Sequence, residues 1–178
     1  MYLRHVVATA GTVPEPLFYN GSLKGRRYTP PGGPAGLYLS LDPSTPPTEL
    51  RLVVFEAGIP FSTSEHDPIA TIAVRARLSR IVDLTDADTC RKLDVQQPEL
   101  ETDWEHEQVE YLLGRAAMPA TQLLALAAHG TGHVAGIKYT SVRTTFGTNV
   151  VIFPDRLATG EFLEVVDSTG TLSQRLEG

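Results

Sequence analysis

The sequence predicts a single domain of mixed class, α/β or α+β, and three features carry that prediction. Helix formers and β-branched residues are mixed along all 178 residues, with no internal repeat and no linker long enough to separate domains. The length is enough for one domain with a core and barely enough for two, and apolar side chains at 42% of the chain predict that it folds. Clusters of turn formers, above all Pro30-Pro31-Gly32-Gly33-Pro34, exclude regular structure between the periodic stretches. Residues 1–178 are therefore read as one domain.

Tyr2 to Ala8 reads as a first strand. Gly11 to Pro16 is a turn or loop, and Leu17 to Arg27, punctuated by Gly21 and Gly25, is mostly loop. Gly36-Leu37-Tyr38-Leu39-Ser40 follows the proline cluster as a short strand. Asp42 to Pro47 punctuates again, and also suits a helix start, because proline is tolerated in a first turn. Thr48 to Ala57 stays open. Leu50, Val53, Val54 and Ala57 have helical spacing, whereas Leu50, Leu52 and Val54 alternate as in a strand; Gly58 ends either element.

Ile69 to Val82 reads as one long strand with Ile72, Val74, Ala76 and Leu78 on one face. Asp83-Leu84-Thr85-Asp86 offers the start of a short helix over Asp86 to Leu93. Glu99 to Met118 holds a firmer helix whose apolar stripe is Trp104, Val109, Leu112 and Leu113, with Gly114 weakening its end. Ala120 to His129 is strongly helical, and Gly130 and Gly132 stop it. Thr148 to Phe153 is a strand, Phe162 to Val166 another, and the last few residues are expected to fray.

Composition narrows the function classes. Lys and Arg number 15 against 21 Asp and Glu, a net charge of -6, so the basic stripe that a nucleic-acid sheath needs is missing. The one short basic run, Lys24-Gly25-Arg26-Arg27, looks like a local anion site, and direct nucleic-acid binding is not expected. Cys90 is the single cysteine, which excludes an internal disulfide and a thiolate zinc cluster; a buried structural thiol is expected. The start, Met1-Tyr2-Leu3-Arg4-His5, lacks the apolar region of a signal peptide, and no run reaches membrane-spanning length, so the expected location is cytoplasmic, with no membrane contact.

Three stretches can carry chemistry. In the first, Arg26 and Arg27 offer guanidinium forks, the natural partners of a phosphate or diphosphate, beside a glycine that lets backbone approach a ligand. A solvated basic patch would use the same residues. In the second, Tyr38 can pack its ring on a flat heterocycle, and Glu49 can hold a ribose hydroxyl or stabilise a sugar cation as a leaving base departs. A core tyrosine and a first-turn helix charge are the ordinary alternatives. The third is Tyr139-Thr140-Ser141-Val142-Arg143 with Gly147 and Asn149, where Ser141 can donate to a phosphate or base, and Arg143 can contact an anion or pair with a surface carboxylate. His129 and His133 have the spacing of a helical metal pair, but Gly130 and Gly132 interrupt it and no third ligand is near, so no metal is expected. Nucleophile-elbow, dinucleotide-fold and P-loop glycine motifs are all missing.

Taken in order, these stretches form a pattern. Gly25-Arg26-Arg27-Tyr28-Thr29-Pro30-Pro31-Gly32, then Leu37-Tyr38-Leu39-Ser40, then Glu49, then Val82-Asp83-Leu84-Thr85, then Gly136-Ile137-Lys138-Tyr139-Thr140-Ser141-Val142-Arg143 with Gly147, Asn149, Val151 and Phe153, resemble the RES domain family, named for its arginine, glutamate and serine. The resemblance covers most of the chain. It departs from the family's G-G-R-W-N block, where Arg26 stands for the second glycine and Tyr28 for the tryptophan. It departs again where Ser44-Thr45-Pro46-Pro47-Thr48 replaces an alanine-rich run.

The resemblance implies a compact α+β fold like that of ADP-ribosyltransferase toxins, with a central, mostly antiparallel split β-sheet and flanking helices. It implies the toxin of a toxin–antitoxin pair, breaking the nicotinamide–ribose bond of NAD by phosphorolysis or hydrolysis, with inorganic phosphate as co-substrate in the first case and no metal. Residue by residue, Arg27 matches the family arginine and would contact the cofactor's phosphates, with Tyr28 beside it. Tyr38 would position nicotinamide, Glu49 matches the catalytic glutamate, and Ser141 and Arg143 match the serine block. Arg4 matches an earlier arginine in the first strand; Arg26 or Arg143 would supply a further phosphate contact. The implied partner is an Xre-like helix-turn-helix antitoxin that makes the DNA contacts, within a complex where the toxin itself can form a homo-oligomer. Two other readings remain: ADP-ribosyl transfer to a macromolecule, and a non-enzymatic domain that binds a nucleotide or protein. The enzyme reading requires Arg27, Tyr38, Glu49 and Ser141 to converge on one cleft.

Overall fold

The computed structural model describes residues 2–7, 24–43, 45, 53–56, 59–62, 69–144, 146–167, 170 and 172–178, with side chains from residue 24 to 45 and from 72 onward within those ranges. The expected turns and loop from Gly11 to Leu23, and the undecided residues 48–52, lie outside them, as do Ala57 and Gly58. The class is α+β. Strands β1 (Tyr2–Val7), β2 (Leu37–Ser40), β5 (Ile69–Arg77), β6 (Ile81–Asp83), β7 (Gly136–Thr140), β8 (Thr148–Ile152), β9 (Phe162–Val166) and β10 (Arg175–Glu177) form an eight-stranded sheet ordered β10-β9-β5-β1-β2-β8-β7-β6. A separate two-stranded sheet pairs β3 (Val53–Glu56) with β4 (Ile59–Ser62). Among the described residues every pairing is antiparallel except β6 with β7. The described stretch of the open segment 48–57 is thus a strand, as its β-branched pair Val53-Val54 favours.

The sheet buries both faces, which its alternating side chains dictate. Leu37, Leu39, Val150 and Ile152 join Ile72, Val74, Leu163 and Val165 on one side. Ile137, Tyr139 and Val151 face the other way, with Tyr28, Phe153 and the helices α1 (Ala87–Lys92), α2 (Gln97–Leu100) and α4 (Ala120–Gly130), through Cys90, Leu100, Ala125 and Ala128. Each fully buried aliphatic contributes about 1.5–3 kcal/mol. Ala76 and Leu78 pack against the first cluster, on the face expected of them.

Four expectations need correction or completion. Ile69 to Val82 is two strands. The chain breaks at Leu78-Ser79-Arg80, and β6 crosses to the far edge of the sheet. The cause is Glu161, only 4% exposed, which accepts from the backbone nitrogen and hydroxyl of Ser79, from Arg80, and from the backbone nitrogen of Ala158. Backbone groups that would continue a ladder are taken by a carboxylate instead.

Second, the helix expected within Glu99 to Met118 is present as α3 (Trp104–Leu112), but its apolar stripe is not the face it buries. The side chain that α3 buries is Gln108, whereas Val109, Leu112 and Leu113 are more than half exposed. Third, the C-terminus does not fray: β10 pairs with β9, and the Arg175 guanidinium lies 4.2 Å from the Phe162 ring centroid. Fourth, Gly136 to Thr140, read only as a motif, is a strand paired on both sides.

Other elements form where they were expected. Asp86 caps α1 by accepting from the Thr89 backbone nitrogen at 2.9 Å, and α4 ends at Thr131 before Gly132. Among the described residues no helix is long and apolar enough to cross a membrane.

Candidate functional site

The basic run forms a tight turn. Arg26 donates its backbone nitrogen to Thr29 at 2.7 Å, and Thr29 returns the bond to Arg26 at 3.1 Å, so Arg27 and Tyr28 occupy the bend. Gly25 enters it at φ +72°, and a Cβ there would stand 2.2 Å from Gln108 Oε1. Only glycine meets both demands at low cost. Two glutamines on separate helices hold the turn from beneath. Gln108 on α3 donates Nε2 to the Lys24 carbonyl at 2.7 Å; Gln122 on α4 donates to the Arg26 carbonyl at 2.9 Å and to Gln108 Oε1 at 2.7 Å. Neither glutamine stood out in the sequence. A signal existed: Gln122 shares a helix face with Ala125 and Ala128, and a polar residue on a buried stripe calls for a partner.

Strand β2 then carries Tyr38 beneath the turn. Its hydroxyl accepts from the backbone nitrogen of Tyr28 at 2.9 Å and shares a hydrogen with Thr29 Oγ1 at 3.1 Å. Tyr28 is fully buried, its ring 4.4 Å from that of Tyr139. Burial pushes its hydroxyl well above the ordinary tyrosine range, and the neighbouring Arg27 charge offsets only some of that. The Arg27 guanidinium is itself buried, donating Nη2 to the Leu100 carbonyl and lying 5.9 Å from the Tyr139 ring centroid. The Arg26 guanidinium, half-buried, lies 5.7 Å from the Tyr38 ring centroid. Among the described residues no carboxylate pairs with either arginine.

Strand β8 bridges the rest. Asn149 lies opposite Ser40 on one side and Tyr139 on the other, and Ser40 Oγ donates to Asn149 Oδ1 at 2.6 Å. Ser141 follows β7, buried. Its hydroxyl oxygen accepts from the backbone nitrogens of Arg143 and Thr144, both at 3.1 Å, and its own nitrogen donates to Gly147. Thr144 Oγ1 lies 3.5 Å from Thr45 Oγ1, and Thr45 is held in turn by Asp42. The chain leaving β2 is therefore docked on the Ser141–Gly147 loop. Arg143 reaches Glu105 of α3 at 3.5 Å.

Of the predicted site residues, Arg27, Tyr28 and Tyr38 are gathered into one cluster around Tyr139, and Ser141 stands two residues beyond Tyr139 at the end of the same strand. Glu49 lies outside the described residues; Thr45 and Val53, four positions to either side in sequence, are the nearest described residues. Arg4 is placed by backbone only, in β1 beside β2, where the pairing with β5 shifts register between Leu3 and Val6. His129 Nε2 meets Asp155 at 2.8 Å, and among the described residues no three His, Cys, Asp or Glu side chains gather as metal ligands. Cys90 is buried and donates Sγ to the Leu84 carbonyl, and burial raises its thiol above the usual range.

The arrangement joins cationic side chains to aromatic ring faces on one side of a sheet. It suits a ligand that is both anionic and flat-ringed. A family model described as RES domain matches residues 3–172. No curated protein and no solved structure matches the chain.

Proposed function

Because the chain belongs to the RES domain family, we propose that it cleaves the nicotinamide–ribose bond of NAD as the toxin of a toxin–antitoxin pair. The single observation that carries this reading is the hydrogen bond from the Tyr28 backbone to the Tyr38 hydroxyl. It couples the arginine turn, suited to a diphosphate, to a ring suited to nicotinamide. Such a site can hold a dinucleotide on both sides of its nicotinamide ribose and leave the bond between base and sugar as the one under stress.

In the proposed reaction nicotinamide leaves as a neutral base with the bonding electron pair, and positive charge develops on the ribose. The arginine turn, which Arg27 holds in place, and Arg4 fix the diphosphate. Tyr38 positions the ring, and Ser141 closes the pocket beside it, with Arg143 nearby for a second anion. Glu49 stabilises the ribosyl cation or orients its 2′-hydroxyl. Water or inorganic phosphate then attacks the anomeric carbon, releasing one proton and giving ADP-ribose or its 1″-phosphate. An Xre-like helix-turn-helix antitoxin is the proposed partner, and DNA contact belongs to it.

The test is incubation of the full chain with NAD, with and without phosphate, following nicotinamide release. Release in water alone identifies a hydrolase, and release that requires phosphate a phosphorylase. Label from NAD that appears on a protein or nucleic acid identifies a transferase instead. No loss of NAD from folded, antitoxin-free protein sinks the reading.

A further inference from the structure

We infer that Arg26, rather than its neighbour Arg27, is the side chain that takes a phosphate group at this site. The inference rests on the reading of the arginine turn as a nucleotide site and deepens it. Arg27 is 8% exposed, and its Nη2 is already given to the Leu100 carbonyl. Its Nε is buried and finds no partner among the described residues, but the guanidinium is closed in, and reaching a phosphate outside the turn means moving off the face of Tyr139 and drawing on the bond that ties α2 to the turn. Its geometry is that of a strut between turn, helix and sheet.

Arg26 is built the other way round. Its backbone is fixed by the reciprocal bonds with Thr29 and by Gln122 on its carbonyl. Its side chain lies against the ring face of Tyr38. It is half-buried, and among the described residues no carboxylate neutralises it. A surface arginine normally loses much of its rotamer freedom when it binds; one anchored at the backbone and laid along a ring has lost some of it beforehand. The fork stands beside the ring proposed to meet nicotinamide, so the phosphate it reaches is the one nearest the scissile sugar, or a free phosphate approaching that sugar. Both sources share one chemistry, a phosphate dianion or diester read by a guanidinium.

The test uses the full chain and two probes that need no turnover, ADP-ribose and inorganic phosphate, with binding read by calorimetry and folding by thermal denaturation. R26M keeps the apolar stem over Tyr38 and removes the charge. It should hold the wild-type Tm and raise the Kd about 10- to 100-fold, the effect of losing one or two charge-assisted hydrogen bonds. R26K should recover some of the binding, as a point charge without the fork. R27M should lower Tm by several degrees. Weakened ADP-ribose binding in R26M assigns Arg26 to the diphosphate; weakened phosphate binding alone assigns it to the free acceptor. Unchanged Kd for both probes in R26M overturns the inference, as does wild-type protein that binds neither. An R27M protein with wild-type Tm and no affinity for either probe overturns it too. If wild-type protein consumes no NAD yet binds ADP-ribose through Arg26, the phosphate site stands and the NAD-cleaving reading falls.

Discussion

The Tyr38 hydroxyl accepts the backbone hydrogen of Tyr28 at 2.9 Å, across ten residues and a proline-rich turn. One side chain of the sheet thereby fixes the height of the arginine turn. In Tyr38→Phe the packing remains and the acceptor is lost, leaving a backbone N–H of a half-buried turn unpaired. The expected cost is about 1–3 kcal/mol in urea denaturation. The kcat/KM for NAD should fall with it, because the turn is no longer held. A Tyr38→Phe protein with wild-type stability would show that this bond does not hold the turn.

Gly25→Ala should be worse than its size suggests. The added methyl meets Gln108 Oε1 at 2.2 Å and Pro31 Cδ at 2.7 Å, on a backbone at φ +72°. Strain and clash together predict a loss of about 2 kcal/mol or more. Gln108 would have to give up its place between Lys24 and Gln122. Thermal denaturation with ADP-ribose present and absent separates the two effects: Tm falls in both, and the stabilisation by ligand shrinks.

Glu161 predicts an acid-sensitive junction. Burial works to raise its carboxyl, but Arg80, Ala158 and Ser79 outweigh that and hold it at about 2, against an ordinary 4.5. Between those values the unfolded chain binds the proton and the folded chain does not. Its contribution is therefore fully present above about pH 4.5 and is lost as pH falls toward 2. Glu161→Gln should cost about 3 kcal/mol at pH 7, since it leaves Arg80 without its counter-charge. It should also flatten the pH dependence of stability in that window. Denaturant midpoints from pH 7 down to pH 3 measure both.

Phe146 is 95% exposed and sits at φ +68°, a region that costs a non-glycine residue roughly 1–2 kcal/mol. With no packing to lose, Phe146→Gly should stabilise the protein by about 1 kcal/mol, or about 2–4 °C in Tm. An unchanged or lower Tm would mean that the ring holds the Ser141–Gly147 loop by contacts of its own.

Much was legible in the chain because it depends on neighbours in sequence. Short apolar runs at Leu37-Tyr38-Leu39-Ser40 and Thr148 to Phe153 pointed to strands, and Asp83-Leu84-Thr85-Asp86 pointed to a helix start. The ordered blocks around Arg27, Tyr38 and Ser141 fixed the family. What misled was also local. Val109, Leu112 and Leu113 look like a core stripe, yet α3 turns Gln108 inward because the carbonyl of Lys24, 84 residues away, needs a donor. The long strand predicted over Ile69 to Val82 breaks because Glu161, 82 residues from Ser79, takes the backbone at the break.

The sequence by itself determined a mixed α and β chain, many of its periodic elements and, through its ordered blocks, its family. Only the tertiary structure decided how the two arginines differ. Arg26 and Arg27 are adjacent and chemically identical in the sequence, but a turn sends consecutive side chains in different directions. One guanidinium is closed in between Leu100 and Tyr139, and the other is left half-buried against the ring of Tyr38. Burial is a property of the surroundings, and those come from helices and strands distant in the chain.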